Sequence, residues 1–427
     1  MRGLHRNYHK PNFPLMNELN RLRDTLRPHL PWHGARLNFV CLFLMALFQT
    51  KTVNLMEIAT VFANPVQISS NYQRLQRFFR QFKFDRAEIA RFVVSLIDIP
   101  QPWTLSLDRT CWSFGQTHFN ILMLAVVHEG IAFPLLWTML DKKGNSNSGE
   151  RMDLFDRFEA LFPDVEVACL TADREFVGRD WLSYLLIDPE VPFRLRIRHS
   201  ELISPKLGGT RRSGERMFDS LRPGEFRQLS GRRWVWGRQV YVIGSRLADS
   251  GELLILITNA CPETALPDYA RRWGIENLFG ALKTRGFCLE STHFKDPERL
   301  SRLLALLSLA FTWAMKVGLW IHQGSPIPLK AHGRRSQSLF RTGFDFLRRT
   351  FSNLPLFSGR FHQALQLFVT VLRIDNYSIS QGWLGRSFEN GIHGIMERIK
   401  LLNAVANTGF QPRPTFLYLV EVWRIRW

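Results

Sequence analysis

The sequence predicts an α/β protein: a mixed sheet with flanking helices, interrupted by a β-rich insertion and preceded by a helical N-terminal domain. Three observations carry this expectation. From residue 101 the chain turns to aromatic and aliphatic stretches cut by short turn signals, which read as strands. Residues 194–258 are again strand-like but strongly basic. Both flanks, residues 1–100 and the chain beyond 259, show helical spacing of apolar residues.

In chain order, residues 16–30 form a polar amphipathic segment ended by Pro31, and residues 35–50 an apolar helix. NLMEIATVF (54–62), a turn containing Pro65, and SSNYQRLQRFFRQF (69–82) resemble a helix-turn-helix, with Ser69 or Ser70 as the expected cap. Arg74, Arg77 and Arg80 on the second helix suit a DNA backbone, although an ordinary hairpin with a basic surface has the same text. Residues 103–114, 119–127 and 131–139 read as an antiparallel meander. The polar loop DKKGNSNSGER, a helix over 151–162, a strand over 165–171 and a helix over 178–187 follow. Three strands, a helix, a strand and a helix are the opening of a ribonuclease H-like fold, expected over 101–193. The insertion is expected over 194–258, and the core resumes over 259–323 with the long apolar helix 297–323. A basic helical region spans 324–375, and a divergent tail 376–427.

The chain of 427 residues is long enough for two or three domains. Its charge is unusual, with 56 Lys+Arg against 37 Asp+Glu, a formal net of +19. Thirteen basic and four acidic residues give +9 over 194–246, and eight against one give +7 over 324–374. Basic segments with interleaved aromatics favour nucleic acid over lipid. The five cysteines are scattered, which argues against a zinc site or disulfide framework and suits a reducing cytoplasm. The N-terminus lacks the apolar core of a signal peptide. Neither apolar run, 39–48 or 303–315, reads as a clean membrane span.

Chemistry concentrates in acidic residues. Asp108 closes the apolar text WTLSLD, and Asp173 closes CLTAD. Carboxylates at strand ends lie on the sheet rim, where ligands gather in open α/β folds. In YARRWGIENLFGALK, Tyr269, Arg272, Glu276 and Lys283 project at roughly 0°, 300°, 340° and 320° around a continuous helix. A phenol, a guanidinium, a carboxylate and an ammonium on one face suit a metal and a phosphodiester, although a solvated face with helical ion pairs has the same pattern. Asp108, Asp173 and Glu276 together are candidates to hold two Mg²⁺ ions about 4 Å apart, with Arg272 and Lys283 on phosphate oxygens. Arg174 and Glu175 are candidates to support Asp173. His118, His128 and His293 have no partner spacing.

Four stretches resemble DDE transposases of the IS-four insertion-sequence group: LSLDRTCWSFG, LLWTMLDKKGNSNSGER, LTADREFVG and YARRWGIENLFGALKTRGFCLE. The last carries that group's Tyr, two residues, Arg, three residues, Glu, six residues, Lys signature without a gap. The resemblance runs from about residue 35 to 372; the tail 376–427 lies beyond it. It implies a catalytic triad of Asp108, Asp173 and Glu276, with Mg²⁺ as cofactor and Mn²⁺ able to substitute. It further implies double-stranded DNA as partner, both terminal inverted repeats and target, in a homodimeric synaptic complex that cleaves in trans. Tyr269, Arg272 and Lys283 would contact DNA near the scissile phosphate. Cut-and-paste transposition through a hairpin intermediate would place a flipped base on Trp234 or Trp236, which are expected to share a strand face. The alternative for each Trp is packing in the insertion's small core. Such an enzyme would work in the bacterial cytoplasm, on the nucleoid, with no membrane role. A related nuclease without strand transfer and an inactive transposase-derived DNA-binding regulator are the competing readings. The presence of all three acids speaks against the second.

Overall fold

The computed structural model describes residues 13–370, apart from 63, 65, 129, 188, 189 and 332–334. The expected tail 376–427 lies outside the described residues. Five helices open the chain: α1 (Phe13–Leu26), α2 (Gly34–Thr50), α3 (Leu55–Thr60), α4 (Ile68–Gln81) and α5 (Arg86–Ile97). Strands β1 (Trp103–Phe114), β2 (Thr117–His128) and β3 (Ile131–Met139) form the expected meander. Helix α6 (Ser148–Leu161), β4 (Val167–Ala172), α7 (Arg179–Ile187) and β5 (Phe193–Ile197) follow. Next come β6 (Leu202–Ser204), β7 (Arg212–Ser213), α8 (Gly214–Met217), β8 (Phe226–Gln228), β9 (Arg233–Val235), β10 (Arg238–Arg246) and β11 (Leu253–Thr258). The chain returns to helix with α9 (Ala265–Ala270), α10 (Trp273–Leu282), α11 (Pro297–Gly324), α12 (Leu339–Ser352) and α13 (Ser358–Val369).

One mixed sheet of 11 strands runs β3-β2-β1-β4-β5-β11-β10-β9-β6-β7, with β8 on β10. β1 is antiparallel to β2 and parallel to β4, and β4 is parallel to β5. β5 also pairs antiparallel with β11. The sheet therefore crosses the expected boundary at residue 194 without a break. β2 is buried over nearly its whole length, as a strand covered on both faces must be. α5, α6, α10 and α11 all pack on β3.

Helix α11 organises the other half of the molecule. It is long and apolar enough to cross a membrane, yet 89% of its apolar window is buried inside the protein. Phe48 of α2 meets Trp313 of α11 and both Phe344 and Phe351 of α12 edge-on or tilted. The N-terminal helices and the region after 324 thus share one core around α11. Lys316 interrupts the apolar text of that helix. It is buried, its Nζ donates to the Phe368 and Thr370 carbonyls at 2.9 and 2.7 Å, and burial pulls its pKa down to about 7.

α11 and α12 cross at two glycines. A Cβ on Gly343 would run into the Ala314 carbonyl, and one on Gly318 into the Leu339 carbonyl. Gly343→Ala must therefore push the helices apart. We expect a loss of roughly 1–3 kcal/mol in urea unfolding; an unchanged midpoint would refute this close packing.

At α3–α4 the expected serine cap is corrected. Helix α4 starts at Ile68, ahead of both serines, and its cap residue Gln67 makes no side-chain capping bond. Asn64 and Asn71 instead exchange amide hydrogen bonds at 3.0 Å, and Asn64 Oδ1 accepts from the Val66 amide, so the turn closes before Ser69 is reached. Arg74, Arg77 and Arg80 are exposed.

Candidate active site

Strand register brings the two aspartates together. The last residue pair of the parallel β1–β4 ladder is Leu107↔Ala172, and the next residue on each strand is an aspartate. β4 ends there, but β1 runs on to Phe114, still paired to β2. Asp108 is thus not at a strand end, as its text suggested; it reaches the rim because its neighbour stops. Its Oδ1 accepts from the Arg109 amide at 2.7 Å. Its pKa is pushed up to about 6, chiefly by burial, with Arg272 pulling the other way.

The expected single helix from Tyr269 to Lys283 is two. α9 ends at Ala270, α10 starts at Trp273, and the junction is tightened by bonds from Arg272 N to Tyr269 O and from Ile275 N to Arg272 O, both 3.0 Å. Tyr269, Arg272 and Glu276 nevertheless converge on the aspartates. Arg272 is buried. Its Nη1 donates to Asp108 Oδ2 at 3.2 Å and its Nη2 to Glu276 Oε1 at 2.5 Å. Its guanidinium carbon lies 5.6 Å from the centre of the Tyr269 ring. Burial opposes the charge on Arg272, but Tyr269, Asp108, Glu276 and Asp173 outweigh it and hold the pKa above its ordinary range. The Tyr269 hydroxyl donates to Asp173 Oδ1 at 3.3 Å, and burial pushes its own pKa up to about 12. Arg196 of β5 also approaches Asp173, at 3.6 Å.

Lys283 falls outside this cluster. It caps the end of α10, donates to the Cys111 carbonyl at 3.0 Å and pairs with Glu290 at 2.9 Å. Cys111 is three residues along β1 from Asp108, about 10 Å. The two insertion tryptophans do not share a strand face. Trp234 lies on β9 opposite Gln239 and Ser204. Trp236 forms the hairpin turn with Gly237, at φ 48° and 76°, the pattern of a type I′ turn. Its indole donates to Glu201 at 3.0 Å. The described contacts of neither ring include Asp108, Asp173 or Glu276.

Glu175 was expected beside Asp173, but the arginines Arg109, Arg151 and Arg194 escaped the sequence reading. Arg109 grips Glu175 with a two-pronged fork at 2.9 and 3.1 Å, and also donates to Asn120 and Asn145 at 3.1 and 3.2 Å. Arg109 follows Asp108, and Glu175 lies two residues past Asp173, so the fork ties the two acid-bearing segments together. Arg151 of α6 secures the same loops through the carbonyls of Ser146, Glu175 and Val177. Buried Arg194 of β5 pairs with Asp268 at 3.0 Å and donates to Thr258 at 2.8 Å, anchoring α9. Opposite charges flanking the two catalytic candidates were the available signal for the fork. Trp273, next to Arg272 at the start of α10, is 53% exposed.

Three carboxylates are hard oxygen donors of the kind divalent cations prefer. Among the described residues, however, no three His, Cys, Asp or Glu side chains lie close enough together to hold a metal ion, and Arg272 joins Asp108 to Glu276.

The family model described as "Transposase DDE domain" matches residues 100–313, half of the chain and all of this site. No curated protein matches the sequence. Among solved structures, a piggyBac transposase synaptic complex with hairpin DNA, determined by cryo-electron microscopy, is similar over 87% of both chains at 12% identity and a TM-score of 0.40. A likeness at that level fixes nothing about this chain's chemistry.

Proposed function

The chain belongs to the family of DDE-domain transposases, and from that premise we propose a transposase of the IS-four type that cuts its element free and joins it to target DNA. The observation that carries this reading is the convergence of Asp108, Asp173 and Glu276 on Tyr269 and Arg272. The strand order β3-β2-β1-β4-β5, with β2 alone reversed, supports a ribonuclease H-like core.

In this reading Asp108, Asp173 and Glu276 hold divalent metal, Mg²⁺ by preference. Metal held by these residues would supply activation of the attacking hydroxyl and charge for the leaving oxygen. The protein's own groups position the DNA. Arg272 offers a planar fork to a phosphate, and Lys283, at the end of α10 beside Cys111 of β1, a point charge. The exposed basic residues of the 198–246 segment hold the flanking duplex in a salt-dependent way. A homodimer on two inverted repeats, a hairpin intermediate and a base stacked on Trp234 or Trp236 complete the proposal, as does work on the nucleoid.

The test uses duplexes cut from the DNA that brackets the gene, end-labelled and incubated with the full chain and Mg²⁺ or Mn²⁺. Nicked, hairpin and joined products are scored separately on a gel. Metal-dependent nicking followed by joined product is the expected result. Nicks that never join would favour the nuclease reading, and binding without any cut the regulator.

A further inference from the structure

Arg272 occupies an odd position for a group that is to hold DNA. It is buried, and it spans two of the three carboxylates that the proposed function assigns to metal. A carboxylate oxygen that accepts a charge-assisted hydrogen bond at 2.5 Å is not free for a cation. Three carboxylates face the guanidinium groups of Arg272 and Arg196, so little negative charge remains to attract a divalent ion. The guanidinium is also incompletely satisfied: its Nε is buried with no hydrogen-bond partner among the described residues. Such an orphaned donor marks an arrangement that another acceptor can improve. A phosphodiester is that acceptor, since it takes two parallel N–H bonds from one guanidinium. Glu276 has 36% of its side chain exposed, so the approach to the bridge is open from the solvent side.

We infer that Arg272 is a resident cation that closes the acid cluster to divalent metal until a DNA phosphate draws it away, so that metal loading follows DNA binding. The inference rests on the assignment of Asp108, Asp173 and Glu276 as metal ligands. It adds an order of events and a reason for it: a nuclease centre that charges with metal only on DNA is silent when free. The position of Arg272 at the α9–α10 junction fits this role, because a residue between two short helices can redirect its side chain without dismantling either.

The experiment measures Mn²⁺ binding to the full chain without DNA, by the electron paramagnetic resonance signal of the free ion. Arg272→Gln removes the bridging charge and should bind Mn²⁺ about tenfold tighter than the wild type, the worth of one charge-assisted pair. The gain should vanish in the double variant Arg272→Gln/Glu276→Gln. End duplex added to the wild type should tighten Mn²⁺ binding by a similar factor. Equal affinities in wild type and Arg272→Gln overturn the inference, as does a gain that survives loss of Glu276. If melting shows that Arg272→Gln does not fold, Arg272→Lys takes its place. An ammonium does not span both carboxylates, so a smaller gain is expected and none would again overturn the idea. The transposase reading is scored apart from this. Wild-type nicking of the end duplex together with equal Mn²⁺ affinities would remove the gate and leave the enzyme.

Discussion

Asp108→Asn is expected to stop strand cleavage, by about a thousandfold or more, and to leave the protein folded. Asn keeps the size and one acceptor oxygen but cannot supply the charge that a metal needs, and a thousandfold corresponds to about 4 kcal/mol of barrier. Stability should move the other way. Burial lifts the Asp108 pKa from 3.8 to about 6 in the folded chain. A carboxyl raised in this way favours the fold most when it is protonated, below about pH 4. That contribution is lost as pH rises through about 6, and near neutrality the ionised group costs on the order of 3 kcal/mol. The neutral amide removes the cost. The paired measurements are gel cleavage and thermal melting at pH 7. Asp173→Asn and Glu276→Gln should match the loss of cleavage. A cleavage-competent Asp108→Asn would remove the acid triad, and a collapse of its melting temperature would mean that Asp108 serves the fold instead.

Arg194→Met is the most damaging single change expected outside the acid cluster. The guanidinium is 3% exposed and meets Asp268, Thr258, Thr264 and its own strand's Phe193 carbonyl. Removing it strands the Thr258 and Phe193 acceptors and leaves the half-buried Asp268 with only Thr264 and the more distant Arg271, so the loss should fall toward the lower end of the roughly 3–5 kcal/mol for breaking one side of a buried pair. Asp268 precedes Tyr269, so the damage should reach the site as well. Arg194→Met/Asp268→Leu removes both charges and should recover much of the stability, which urea unfolding can read. A double variant no more stable than the single would show that the ion pair is not the source of the loss.

The strand meander and Asp173 could be read from text because the signal is local, apolar strand text and then an acid where it stops; Asp108 was picked out by the same cue although β1 runs on past it. The convergence of Tyr269, Arg272 and Glu276 was also legible, since helical spacing survives a small break. The break itself was not, because 100° periodicity says nothing about bonds that tighten from i−4 to i−3. Lys283 shows the cost, as its angle was right for a straight helix and its actual position is beside Cys111. Trp-Val-Trp alternates like a strand, but Gly237 converts the second Trp into a turn residue. Arg194 and Asp268 are 74 positions apart and leave no local trace. The start of the insertion was placed inside β5 because strand text does not reveal which neighbour it joins.

In the proposed reading, that continuity of the sheet would give the enzyme a ruler. The basic β9–β10 hairpin is linked to Asp173 by hydrogen-bonded ladders from β10 to β11, β5 and β4. Arg196, in the middle strand, bonds Glu252 just before β11 and also reaches Asp173. A plank of this kind resists bending in its own plane, unlike a module on a flexible tether. If DNA is gripped at the hairpin, as proposed, duplex there and duplex presented to the acids would be held at a set separation. The distance from a protected stretch of DNA to the cut would then follow strand spacing, and DNA of the wrong phase would have to twist to fit.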